Sequence, residues 1–170
     1  PGAERRAIRK ASKARVKEAV ESVEAQIMKL VAAGAQHILV GNAPDISLVP
    51  STDTLVAGLL ATAEGKHEIR RAEKMYRLSS KLSGQYNRQL SRAVERIESL
   101  SGLDIIEWDL SSFLSNQIED ADENGYTNTE TACADDGQLP YCEGYVFVDG
   151  VHPTTVVHQR AGADVLGLLN

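Results

Sequence analysis

Only two of the 170 residues are cysteine, and no cysteine–histidine spacing suits zinc. The glycine-rich loop that would cradle a nucleotide phosphate is missing as well, so neither a metal nor any other cofactor is expected. No window is long and apolar enough to span a membrane. Positive charge is in deficit, with a formal net charge of −6, which argues against a nucleic-acid partner. The basic residues that do cluster, from Arg5 to Lys17, recur on a helical pattern among apolar positions and read as a solvated helix face. The chain begins with Pro1 instead of methionine and shows no signal peptide, so the expectation is a natural N-terminus that was removed or lies upstream.

What is present suffices for one globular domain, since 42% of the 170 residues are hydrophobic. Val16, Val20, Val23, Ile27, Leu30 and Val31 recur at steps of three and four, the stripe of an amphipathic helix that Gly34 ends. His37 to Val40 reads as a short buried strand broken by Asn42, Pro44 and Asp45. Ser51 is expected to cap a brief helix through Leu60. A long helix follows from His67 to Leu100, with Leu78, Leu82, Tyr86, Leu90, Val94, Ile97 and Leu100 on one face and a kink or break at Gly84. Ile105 to Trp108 is a second strand, Phe113 to Ile118 a further helix, and Tyr145 to Val148 a third extended piece. A terminal helix from Thr154 to Leu169 would turn Val157, Ala161, Val165 and Leu169 inward. Strand, helix, strand, helix is the order of an α/β fold with a parallel sheet wrapped by helices. Two good strands and one short one cannot cover the apolar faces of these helices, so further strands are expected from an N-terminal half, either covalently upstream or as a separate fragment.

At the exit of the last extended piece stands Asp149-Gly150-Val151-His152. A carboxylate that accepts a hydrogen bond from one imidazole nitrogen fixes the tautomer and leaves the other nitrogen to act as a general base. The natural third member is a serine hydroxyl. The plainer alternative is that Asp149 only caps the turn before a helix.

The strand, the D-G-V-H turn and the following P-T-T-x-x-H resemble the last sequence block of the GDSL (SGNH) esterases and lipases. The resemblance implies that Asp149 is the orienting acid and His152 the general base of a Ser-His-Asp triad. It extends backwards through Gly34 to Val40 with the N-x-P-D loop at Asn42, Pro44 and Asp45, and through Tyr86-Asn87-x-x-Leu90. Ile105 to Leu110, and Gly125-Tyr126-Thr127-Asn128 with Cys133 beyond it, complete the series. The fold so implied is the C-terminal part of a three-layer α/β/α SGNH hydrolase, flavodoxin-like, with a parallel sheet. Asn42, Pro44 and Ile46 would then border the substrate pocket at the carboxyl end of that sheet.

The family's G-D-S block with the nucleophile, its glycine block and its G-x-N-D oxyanion block are all absent from Pro1 to Asn170. The expected partners are therefore an N-terminal half that carries the serine and oxyanion hole, and an ester or lipid substrate. Ester hydrolysis is the implied activity, inactive in this chain alone. A non-catalytic binding or assembly module, and an acyltransferase of the same chemistry, are the other readings.

Cys133 and Cys142 flank an Asp-Asp-Gly-rich loop with Pro140, a composition able to turn back on itself. Close pairing into a disulfide is the simpler use of the two, and implies a secreted or periplasmic protein; two unpaired thiols in the cytosol is the alternative. Asp120 to Gly125 reproduces the first half of a calcium-binding EF-hand loop, but the twelfth position is Thr131 and the carboxylate of Glu130 comes one residue early. His37 and His67 read as surface or strand-edge residues, and His158 as a packing or capping one. Ser79, Ser80, Ser83, Ser111 and Ser112 lack the tight glycine turn that exposes a nucleophile.

Overall fold

The structure, a computed structural model, describes residues 2–169, with side chains from residue 6 onward. Arg5 of the expected basic face lies outside the described side chains; from Arg6 to Lys17 that face is exposed. The protein is α/β and divides into two compact units, residues 1–43 with 81–108, and residues 44–80 with 109–170.

The first unit is built on helix α1 (Gly2–Ala32) and strand β1 (Ile38–Gly41). The end of α1 is set by Gly34, whose φ of +90° only glycine adopts without strain. Ala35 N–H returns to the Leu30 carbonyl at 3.0 Å and Gly34 N–H to that of Val31 at 2.9 Å, so these two final-turn carbonyls are satisfied. Leu30 itself is exposed and leaves the predicted stripe, while Val20 and Ile27 are buried. Helix α3 (Lys66–Ser101) leads to strand β2 (Ile105–Trp108), which pairs parallel to β1 with Ile38 opposite Ile105 and Gly41 opposite Trp108. Ile27, Ile38, Val94, Ile97 and Ile105 form the core of this unit. Burying each such side chain is worth about 1.5–3 kcal/mol.

Three expectations change here. α3 runs unbroken through Gly84. A helical glycine costs about 1 kcal/mol, and burial of Leu90, Val94 and Ile97 beyond it outweighs that cost. Leu100 is 78% exposed because it stands in the final turn, past the face that packs. Tyr86, expected on the packed face of the helix, is only half-buried.

The second unit begins with a 3-10 turn (Ile46–Leu48) and helix α2 (Pro50–Ala61). Ser51 is not its cap: Val49 holds that position and Pro50 takes the first helical one, where its fixed φ is already helical. Helix α4 (Leu110–Glu119) is capped by Asp109, whose side chain accepts from Ser112 N–H at 3.1 Å. Strand β3 (Asn128–Ala132), which no apolar pattern announces, pairs parallel to β4 (Tyr145–Phe147) as a second two-stranded sheet. β4 thus finds its partner in β3, whereas the sequence suggested one sheet for all strands. Helix α5 (Thr155–Leu168) buries Val157, while Leu169, expected to face inward, stands just past its end and is exposed. Val49, Leu114, Tyr126, Val146, Phe147 and Val157 make the core. Arg160 clamps α5 to the loop between α4 and β3, its guanidinium 4.9 Å from the Tyr126 ring centroid and its Nη2 donating to the Asn124 carbonyl at 2.8 Å.

Candidate active site

The D-G-V-H segment folds back on its own strand. Val148 N–H donates to the His152 carbonyl at 2.9 Å and Thr154 N–H to that of Val146 at 2.8 Å. Phe147 and Pro153 face each other between these bonds, at a pairing position where the N–H that proline lacks is not required. On the other side of β4, Cys133 and Ala134 donate to the carbonyls of Phe147 and Val148, both at 3.0 Å. The chain is therefore hydrogen-bonded from both flanks up to the residue before Asp149. A Cys133–Cys142 disulfide, with Cα atoms 5.4 Å apart, closes the intervening loop.

The turn is also fixed from α2. Ser51 N–H, one of the first-turn donors that a helix leaves unpaired, reaches the Gly150 carbonyl at 2.8 Å. A Cβ on residue 150 would lie 3.3 Å from Ser51 Cβ, tighter than an ordinary contact, so a larger residue there would require Ser51 to give by a few tenths of an ångström.

Within the turn, Asp149 Oδ1 accepts from the N–H groups of Val151 at 2.8 Å and His152 at 2.7 Å. His152 Nδ1 lies 2.8 Å from Oδ2 and 3.0 Å from Oδ1. A carboxylate only accepts, so Nδ1 carries the proton and Nε2 offers a lone pair. The side chains of His152 and Asp149 are 71% and 51% accessible, and water screens their charges. The orientation of the acid is therefore owed chiefly to the two backbone donors.

Those donors also govern its ionisation. The Asp149 carboxyl is lowered from 3.8 to about 2, first by the N–H of His152, then by that of Val151 and by the imidazole. A depressed carboxylate value means that the turn's stabilisation is fully present above the unfolded value and is lost as pH falls through the folded one. The 13C shift of the Asp149 carboxyl, followed from pH 5 downward, should accordingly titrate with a midpoint of about 2. A midpoint at the ordinary 3.8 would mean that the backbone donors do not engage it in solution.

A cavity of about 270 Å³ opens beside the imidazole, lined in part by Pro140, Tyr141, Val148, His152, Val156 and His158. Nothing in residue spacing points to it, because the disulfide loop, the turn and α5 meet only through the fold. His158 is tied back by its Nδ1, which donates to the Thr154 carbonyl at 3.0 Å. Of the residues expected at a pocket, Pro44 and Ile46 do not line this cavity; Pro44 is half-buried, and Ile46 opens the 3-10 turn with its carbonyl accepting from Thr52 Oγ1 at 2.5 Å. Asn42 belongs to the first unit, where its N–H continues the β1–β2 ladder by donating to the Trp108 carbonyl at 3.0 Å.

Asn87, part of the Y-N-x-x-L segment, brackets the loop after β1. Its Nδ2 donates to the Ala43 carbonyl at 2.8 Å and its Oδ1 accepts from Ala43 N–H at 2.9 Å. Burial of Asp45 works against its ionisation, but hydrogen bonds from Ser80 and Ser47 outweigh this and leave its carboxyl below the usual range. In the acidic loop, the Asn124 carbonyl is taken by Arg160. Among the described residues, no group of three or more His, Cys, Asp or Glu side chains is placed to hold a metal ion.

Comparison with curated proteins gives no match. A family model described as GDSL-like Lipase/Acylhydrolase matches residues 6–165, a span that includes the strand pairs, the disulfide loop and the Asp149–His152 turn. The chain therefore belongs to the GDSL-like lipase/acylhydrolase family.

Proposed function

We propose that this chain supplies the acid and the base of a Ser-His-Asp triad in a serine ester hydrolase acting on acyl esters, lipids among them. The observation that supports this most is the His152 ring held by Nδ1 on Asp149, with Nε2 left to accept a proton. A serine Oγ would attack the ester carbonyl while its proton passes to His152 Nε2. The same proton would go to the departing alkoxy oxygen as the carbon–oxygen bond breaks, leaving the acyl group on the serine. Water, activated by His152, would then release the acid. Asp149 stays ionised throughout and stabilises the imidazolium.

The nucleophile and the oxyanion donors are assigned to an N-terminal portion of the same three-layer α/β/α domain, of which residues 1–170 would form the C-terminal portion. Asn42, Pro44 and Ile46 are proposed to border the substrate where that portion contributes. Export to the periplasm or the cell exterior fits the disulfide, since a cytosol would keep such thiols reduced.

The test is hydrolysis of a short acyl ester by the isolated chain and by the chain combined with the portion bearing the serine. The chain alone should be inactive and the combination active. Turnover by the verified single chain would locate the nucleophile among its own serines. An inactive combination would favour a binding or assembly module that kept the family fold without the chemistry.

A further inference from the structure

We propose that the 270 Å³ cavity beside His152 is the subsite for the alcohol portion of the ester, and that Tyr141 determines which alcohols it takes. This rests on the ester-hydrolase reading. The acid–base geometry decides which end of the ester lies here. His152 gives its proton to the alkoxy oxygen as the bond to the acyl carbon breaks, so the group attached to that oxygen must lie against the imidazole. The acyl chain, bonded to the carbon under attack by the serine, is directed away from the base. His152 contributes to the wall of the cavity, so the ligand next to it is the leaving alcohol.

The chemistry of the wall favours an alkyl alcohol. Pro140, Tyr141, Val148 and Val156 give it mainly carbon surface. Tyr141 is 81% exposed and Val156 49%, although each offers apolar area that burial by a ligand would remove from water. No charged side chain lines it apart from what the two imidazoles carry when protonated, so an anionic headgroup finds no fixed cationic partner. Tyr141 sits next to Cys142, and the disulfide anchors the loop that presents it. If an acyl group is passed to an alcohol instead of water, the accepting alcohol would use the same subsite by microscopic reversibility.

Two ester series separate the ends of the substrate. In one the acid is always acetate and the alcohol grows from methyl to hexyl; in the other the alcohol is always ethyl and the acid grows from acetate to hexanoate. For the chain combined with its serine-bearing portion, Tyr141→Ala should reduce the hexyl-to-methyl ratio of kcat/KM by about tenfold, the scale of apolar pocket contacts. The acid-series ratio should stay within about twofold, and Tyr141→Phe, which keeps the ring, should preserve the alcohol preference. A shift in the acid series instead, or none in either, overturns the proposal.

A binding measurement on the chain by itself needs no turnover. 1-Hexanol should shift the His152 and His158 ring proton resonances, and Tyr141→Ala should weaken its binding by a similar factor. Hexanol-dependent shifts without ester cleavage by the combined protein would defeat the hydrolase reading and with it the leaving-group assignment, leaving a cavity that only binds alkyl alcohols. Ester cleavage with ring resonances indifferent to hexanol would defeat the subsite and retain the hydrolase. Should Tyr141→Ala lose its native circular dichroism, Val156→Ser on α5 makes the same test from outside the disulfide loop.

Discussion

Alanine in place of His152, in the chain combined with the proposed serine-bearing portion, is expected to lower kcat for a short acyl ester by roughly four to six orders of magnitude. The loss should be one of chemistry and not of folding. The imidazole is 71% accessible, and the backbone groups of residue 152 that close the turn survive in alanine. Far-UV circular dichroism and the melting temperature should therefore match the unsubstituted protein. An unchanged rate would move the base elsewhere, and His158, which lines the same cavity, is the first residue to examine.

Asp149→Asn should reduce kcat by about four orders of magnitude while the turn persists. The asparagine carbonyl can still accept from Val151 and His152 N–H, which is what Oδ1 of the aspartate does at 2.8 and 2.7 Å. What is lost is the negative charge facing Nδ1, and with it the tautomer and the stabilised imidazolium. Asp149→Ala removes the acceptor as well, so the amides of Val151 and His152 should exchange with solvent faster in alanine than in asparagine. Equal rates of ester cleavage in the aspartate and asparagine proteins would reduce Asp149 to a turn-forming residue.

Much of the first sheet is legible in the residues. Ile38 to Val40 and Ile105 to Trp108 are short apolar runs beside helix-ending glycines, and they pair parallel as expected. β3 is illegible for a physical reason: of Asn-Thr-Glu-Thr-Ala only Ala132 is buried, so the segment carries no period-two apolar signal. It is a strand because β4 is beside it, and strand formation answers to neighbours more than to intrinsic preference. Ser51 misleads in a similar way. A serine before an apolar stretch is a fair cap signal, but Pro50 is better suited to begin the helix, and the Ser51 N–H is used by Gly150.

At the site, the acid and the histidine are visible because their spacing is local. The cavity is not, because Tyr141, Val156 and His158 are gathered by a loop and a helix whose meeting depends on burial of Val146, Phe147 and Val157.

The acid–base turn has one more property, which concerns the order of assembly. Its internal bonds, between Val148 and His152, Val146 and Thr154, and Tyr145 and Thr154, all fall within ten consecutive residues. Closing so short a loop costs little chain entropy and is fast, whereas contacts between distant segments must wait for larger loops to close. The imidazole and its carboxylate can thus reach their mutual geometry before long-range docking finishes. Substitutions elsewhere that disturb long-range docking would then leave the pairing of His152 with Asp149 in place.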